Sequence, residues 1–432
     1  MTVSSPSTPK GSVSPRPVID PDVFGSPEYA ANPYPTLKLL RDHYPAYRNP
    51  KNGLWMITRY EDVVNGFKDT VNLSASPNGE SIGGVFGPTL MEYDGDDHTK
   101  LRNIVAPQFV GMKLKTLLPV VTRNAMALIS QFTERQAKLI ADQASTAGEI
   151  DIVDDFATRL PLNVILDVMS LPQEAHEMFH QWYPAMMNGI NGGPHLRALG
   201  VKANQDYHDY LDPLIDARAK DPGEDLLSRL ATARVDGQQM TKAEIKSFAS
   251  LILVAGAETT DKAIANLWYQ LLSNPDQWAA VQANSELLEP AFTEMMRVHP
   301  PAAAQMRKAV RDIHLHGETI PAGAYVSLSI YGANRDERVF TEPDRFNIFR
   351  DDLFLGREMR GGYQQDGRSG HLGFGLGKHF CAGYQLARAE TVIGTKMLMP
   401  VIRNPRFKAG TNPGPIAIRI APWSLKLEFD AA

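Results

Sequence analysis

The chain has 432 residues, 43% of them apolar, which is ample for a sizeable core. A formal charge of −5 excludes the strongly basic class of nucleic-acid binders. A single cysteine, Cys381, excludes an intrachain disulfide framework and any multi-cysteine zinc site, and it fits a reducing cytoplasm.

Residues 1–17 are rich in Ser, Pro and Thr and lack an apolar h-region, so they read as a disordered tail and not as a signal peptide. From 18 to 432 no composition break, linker or repeat period marks a second domain, and one domain is expected. Strand patterns are sparse. Gly53–Arg59 is strand-like, and Ile416–Ile420 and Ser424–Phe429 alternate near the C-terminus. The middle of the chain is helical by periodicity. There Thr241 and Glu244 form a capping box that opens a helix running to Leu272, where Asn274-Pro275 ends it. About thirty residues give ~45 Å of helix, enough to cross most of a domain of this length. Its apolar run, Leu251–Ala257, is too short to span a bilayer, so the protein is expected to be soluble.

The middle of this helix holds Ala255-Gly-Ala-Glu-Thr-Thr260, polar where apolar side chains would cost less. One reading has the hydroxyls bonding back to the preceding turn. The other has the helix opening locally to present Glu258 and Thr259 to something bound beside it. A second helix ends in Glu294-Met-Met-Arg297, whose charges share a face at i, i+3. Alone, that pair reads as an exposed ion pair.

Cys381 lies in His371-Leu-Gly-Phe-Gly-Leu-Gly-Lys-His-Phe-Cys-Ala-Gly383. Three features favour its thiolate, the form that binds metals. The following segment reads as a helix, which puts Cys381 at a positive N-terminal end. Gly375, Gly377 and Gly383 let backbone N–H groups approach sulfur. Lys378 and His379 add positive potential. A nucleophile would want an aligned histidine base; His379, two residues away on a tight loop, suits that poorly, and an axial metal ligand fits better.

Phe374-Gly-x-Gly-x-His-x-Cys-x-Gly383 resembles the haem-binding loop of the cytochrome P-450 family. Ala255-Gly-x-Glu-Thr-Thr260 resembles the family's oxygen-binding motif, and Glu294-x-x-Arg297 its K-helix motif. Pro343-Asp-Arg-Phe346 resembles its meander, and Asp96-x-His98-x-x-x-Arg102 its C-helix signature. The five occur in the family's order, and the variety resembled is the soluble bacterial one. The resemblance implies a mainly α fold with small β-sheets, a helical bundle around a buried haem with a long central helix.

It further implies that Cys381 is the proximal thiolate to the iron of haem b, a donation that favours O–O cleavage. Phe374, Gly375 and Ala255 would border the haem. His98, Arg102, Arg307 and His379 match positions that bind its propionates, which need cationic partners when buried. Thr259 and Glu258 match the acid–alcohol pair that brings protons to bound dioxygen, and Gly256 would let the helix loosen for it. Glu294, Arg297 and Arg345 match a structural triad.

By position, the glycine-rich segment Asn78–Met91 would be a mobile loop over the distal face, and Pro184–Leu196 a lid between two helices. Phe86, Leu90, Met187, Leu253, Ala257, Ala302 and Ile416 are the expected contacts to a hydrophobic substrate, each also compatible with ordinary core. Asn188, Asn191 and His195 are candidates to orient a polar group. Residues 351–370 are longer than the family's usual connection; they read either as a determinant of redox-partner choice or as a tolerated surface insertion.

The implied activity is dioxygen-dependent monooxygenation with two external electrons, hydroxylating or dealkylating a small-to-medium hydrophobic compound. The chain shows no flavin or iron–sulfur segment. It is therefore expected to take electrons from a separate ferredoxin or flavodoxin with an NAD(P)H-dependent reductase, and a monomer is expected. A peroxide-driven peroxygenase keeps the haem but usually lacks the alcohol. A haem-based sensor would need no acid–alcohol pair. A haem-free cysteine enzyme would be colourless.

Overall fold

The computed structural model describes residues 16–143, 147–354, 364–411 and 421–430. The tail up to residue 15, the strand expected at Ile416–Ile420 and the contact expected at Ile416 lie outside them.

The helices that position the site are, in chain order, α1 (Pro77–Ser81), α2 (Gly83–Phe86), α3 (Gly95–Val105), α4 (Gly111–Gln143), α5 (Arg159–Val168), α6 (His176–Asn191), α7 (Pro194–Lys220), α8 (Lys242–Ser273), α9 (Leu288–Val298) and α10 (Tyr384–Leu398). The main strands are β1 (Ala46–Arg48), β2 (Trp55–Ile57), β3 (Leu73–Ser74), β4 (Ala147–Asp151), β5 (Ala304–Ala309), β6 (Tyr325–Ser329), β7 (Arg403–Phe407) and β8 (Lys426–Asp430).

Helix α8 is the axis of the fold. The capping box forms as the sequence predicts: Thr241 N–H donates to Glu244 Oε2 at 2.8 Å, and Glu244 N–H donates to Thr241 Oγ1 at 3.2 Å. Its 32 residues span ~48 Å. Helices α5, α6, α7, α9 and α10 all pack on it. Its C-terminal half buries Ile264, Leu267, Trp268 and Leu271 in the larger core cluster. Burying such side chains stabilises the fold by roughly 1.5–3 kcal/mol each.

A five-stranded sheet in the order β1-β2-β6-β5-β3 backs a second core cluster. Its β2–β6 pair is parallel and the others antiparallel. Strand β2 falls inside the expected Gly53–Arg59, whereas β5 and β6 are not among the expected strands. A three-stranded antiparallel sheet, β7-β8-β4, includes the expected C-terminal strand.

Two expectations are corrected here. Helix α8 runs unbroken through Gly256–Thr260. Thr259 Oγ1 donates to Ala255 O at 3.3 Å and Thr260 Oγ1 to Gly256 O at 3.2 Å, so the hydroxyls bond back and the helix does not open. Gly256 serves close packing instead, because a Cβ there would lie 3.0 Å from Ile165 Cγ1 of α5.

The segment expected as a mobile loop is mostly the short helices α1 and α2, and its glycines accommodate neighbours. A Cβ on Gly84 would strike the Arg197 guanidinium, one on Gly83 the Glu92 carboxylate, and one on Gly87 (φ +84°) Ser247 Oγ. Of the expected lid Pro184–Leu196, only Gly192 and Gly193 lie outside helices α6 and α7. The ends of the 351–370 insertion are tied down. Phe354 N–H donates to Ser369 O at 3.1 Å, and Tyr60 Oη donates to Gly370 O at 2.6 Å. Its centre, 355–363, lies outside the described residues.

Candidate active site

The cysteine loop is shaped by its glycines. Gly375 (φ +66°) and Gly377 (φ +69°) occupy the left-handed region that favours glycine. A Cβ on Gly377 would sit 2.9 Å from Phe67 O, so the turn also needs the missing side chain for space. The loop closes with Cys381 N–H donating to Phe374 O at 3.0 Å. Helix α10 starts three residues after Cys381, whose sulfur-bearing residue therefore precedes a positive helix end. Phe374 is framed by the rings of Phe292, Phe380 and Tyr384, with centroids 6.1–6.4 Å away.

Beside this loop stands a cluster of basic side chains. The His98 and His379 rings lie against each other at a tilt of 39°, with centroids 4.1 Å apart. His379 Nε2 lies 3.1 Å from Asp94 Oδ1, and Asp94 Oδ2 accepts from Ser74 Oγ at 2.8 Å and Ala75 N–H at 2.9 Å. Burial alone would raise the Asp94 carboxyl, but His379, Ala75 and Ser74 hold it below its ordinary range. Burial, then the charges of His379 and Arg102, push His98 down to about 4. Arg102 donates from Nη2 to Phe380 O of the cysteine loop. Arg307 lies on β5, buried over the Phe67 ring, and burial lowers its pKa. It donates from Nη1 to the carbonyl of Met306.

Two observations test whether a haem fits. The buried His98 Nε2 has no hydrogen-bond partner among the described residues. Buried Arg307 forms no ion pair among the described residues, a costly state that an anionic group would relieve. A porphyrin with two carboxylates answers both.

Helix α8 carries the polar break read from the sequence. Ala255 and Thr259, one turn apart, are exposed in the middle of a helix most of whose residues are buried. Successive residues turn by about 100°, which puts Leu253 and Ala257 on the far side. They are 0% and 1% exposed, packed in the core. The expectation that these two face the haem is thus corrected; Leu251, one turn before Ala255, shares its helical phase but is itself only 7% exposed. Glu258 pairs with Lys262 at i+4, a partner its spacing could have announced.

The remaining candidates are dispersed. Phe86 and Leu90 are buried in the larger core cluster and Met187 packs against it. Ala302 packs against the second cluster. Asn188 and His195 are exposed, and the Asn191 side chain lies outside the described part.

The K-helix motif is buried. Arg297 Nε and Nη2 each donate to the Glu294 carboxylate at 2.8 Å, with both side chains 0% exposed. Arg297 also donates to the carbonyls of Asn334, Pro343 and Arg345. The Arg345 side chain is exposed and pairs with Glu342. The second guanidinium on Glu294 is that of Arg350, its Nε 3.2 Å from Oε1. Arg350 replaces the expected Arg345 side chain because Arg345 meets the site only through its backbone.

A long central helix, a glycine-turned cysteine loop and a basic cluster beside that loop define a haem-thiolate protein of mainly α architecture. The model of the cytochrome P450 family matches residues 56–419, and the chain belongs to that family. It is 33% identical over 418 residues to the cytochrome P450 monooxygenase PikC of Streptomyces venezuelae, covering 94% of this chain and 92% of that protein. It is 31% identical to the cyclomarin C epoxidase CymV of Salinispora arenicola over 82% of this chain and 85% of that one. Among solved structures, CYP109Q5 from Chondromyces apiculatus aligns with a TM-score of 0.79 at 27% identity, covering 95% of this chain and 98% of that one. Ligand-free cytochrome P450 TbtJ1 also gives 0.79, at 26% identity with 93% and 98% covered. The protein is a P450 monooxygenase, and the family implies a haem iron cofactor. Among the described residues no single helix is long and apolar enough to cross a membrane.

Proposed function

We propose that this enzyme uses dioxygen and two external electrons to hydroxylate or oxidatively dealkylate a small-to-medium hydrophobic compound. Haem b would be held by Cys381 as thiolate, with Phe374 packed beside the loop. Bound there, it supplies dioxygen binding and O–O cleavage, which thiolate donation favours. His98 Nε2, Arg102 and Arg307 would hold the propionates. His379 has Nε2 directed at Asp94, so its Nδ1 is the atom left to assist, while Asp94 fixes the ring.

On the open side of α8, Thr259 would exchange its bond to Ala255 O for one to a water or to dioxygen. Glu258, paired with Lys262, would pass protons to it. Leu251 and Ala255 would leave the adjoining wall apolar. The electrons would come from a separate ferredoxin or flavodoxin with an NAD(P)H-dependent reductase. Relatives that are named an epoxidase and a vitamin D(3) 25-hydroxylase support an oxygen-insertion reading over a sensor.

The observation that carries this reading is the exposure of Ala255 and Thr259 inside a mostly buried helix, in a chain whose one cysteine sits on a glycine-turned loop. The test is the absorption of the reduced protein under carbon monoxide. The strongly red-shifted thiolate band is expected, with its loss in Cys381→Ser; an unchanged spectrum in that variant overturns the reading. Thr259→Ala should keep the haem and divert electrons to peroxide.

A further inference from the structure

On α8, one turn beyond Glu258 and beside Lys262, stands Asp261, a carboxylic acid outside the acid–alcohol motif. Tyr183 Oη of α6 donates to Asp261 Oδ2 at 3.2 Å. Tyr183 is buried, Asp261 is partly exposed, and among the described residues Asp261 forms no ion pair. The neighbouring cation, Lys262, is engaged with Glu258.

We propose that Asp261, oriented by Tyr183, is a second proton-holding carboxyl that resupplies Glu258 during turnover. The inference rests on the reading that Glu258 and Thr259 carry protons. In the step, neutral Asp261 gives one proton to the Glu258 carboxylate, directly or through water, and recovers it from solvent at its exposed edge. Total charge over Glu258, Asp261 and Lys262 is unchanged by the transfer. Asp261 touches neither substrate nor haem; it acts through Glu258.

Helical spacing supports this, because i and i+3 place Glu258 and Asp261 on one flank of α8. The titratable and charged groups acting on Asp261 are few. They are Lys262 and Glu258 on its own helix and Tyr183 on α6. Elsewhere α5 meets α6 through Asn163, 3.3 Å from His180 Nε2. Burial pushes Asp261 up to about 7; Lys262 lowers it, Glu258 raises it, and the Tyr183 hydroxyl lowers it. A carboxyl so placed exists in both protonation states near neutral pH, as a proton carrier must.

Two measurements on the haem-loaded protein test this. The first is peroxide released per NADPH consumed, followed from pH 5.5 to about 8.5 with a surrogate plant-type ferredoxin and its reductase and no added substrate. An inflection near the Asp261 value is expected in the wild type. It should vanish in Asp261→Asn, with about twofold more peroxide at neutral pH, and move to higher pH in Tyr183→Phe. The second is thermal stability. The raised pKa makes the native state favour neutral Asp261, so its contribution is full below an ordinary carboxylate pKa and is lost as pH rises towards 7. Asp261→Asn should therefore gain in Tm relative to wild type over that interval and level off above it. A wild type without the inflection, or an inflection unmoved in both variants, overturns the proposal. Thr259→Ala is the control: if it leaves peroxide release unchanged, the proton-carrying reading itself fails, whereas a normal Thr259→Ala response with silent Asp261 variants sinks only this inference.

Discussion

At the residue scale, the roles of Arg345 and Arg350 are exchanged from what the motifs suggest. A buried ion pair that loses one partner costs about 3–5 kcal/mol. Arg350 is 7% exposed and reaches the fully buried Glu294. Arg350→Met should therefore lower the thermal midpoint and speed haem loss. Arg345→Ala removes an exposed pair to Glu342 and should change stability by less than about 0.5 kcal/mol. Comparable losses in both variants would contradict the assignment. The Glu294–Arg297 pair was legible because i, i+3 spacing on a helix fixes side-chain direction. Residues 343–350 form irregular backbone without such a rule, so which arginine turned inward was not. The acid–alcohol segment was legible as a polar break in an apolar run. Which neighbours share its open side needed the helix phase, and that phase moves Leu253 and Ala257 to the far side. Asp261 and Tyr183 are 78 residues apart, and nothing local links them.

At the scale of elements, α6 and α7 cross with backbones almost touching. A Cβ on Gly200 would lie 2.8 Å from Gly189 Cα and 2.9 Å from Ala185 O. Neither contact can yield as a flexible side chain would. Gly200→Val should force the helices apart and cost about 1–3 kcal/mol, the range for overpacking. Gly193→Ala, with nothing within 4 Å of its added Cβ, should be nearly silent. Thermal melts of the two variants decide this; equal midpoints would mean that the crossing is not tight. Helix α8 and the end of α9 were readable from a capping box and helical spacing. Strands β5 and β6 were not, because their pairing is set by partners distant in sequence, β2 and β3.

For the whole molecule, neutral buried histidines predict the response to acid. Burial, then the charges of Arg335 and Arg297, push His299 down to about 3. Burial, then Lys246, pushes His208 down to about 4. Each favours the neutral ring in the native state. The stability they contribute is full above their ordinary value of 6.5 and is lost as pH falls towards 4 and then 3. The thermal midpoint should therefore drop through that window. His299→Gln should drop less steeply, provided its side chain keeps the bond to Gln270. An equal slope in the variant would assign the acid limb to other groups.

Arg197, in the first turn of α7, donates to Ser81 O at 3.3 Å and also to Glu80 O of α1. Further along α7, Asn204 Nδ2 donates to Val85 O of α2 at 3.0 Å. The stretches on either side of this seam are thus stitched at two levels, so a change that unfastens the guanidinium still leaves the amide holding the second.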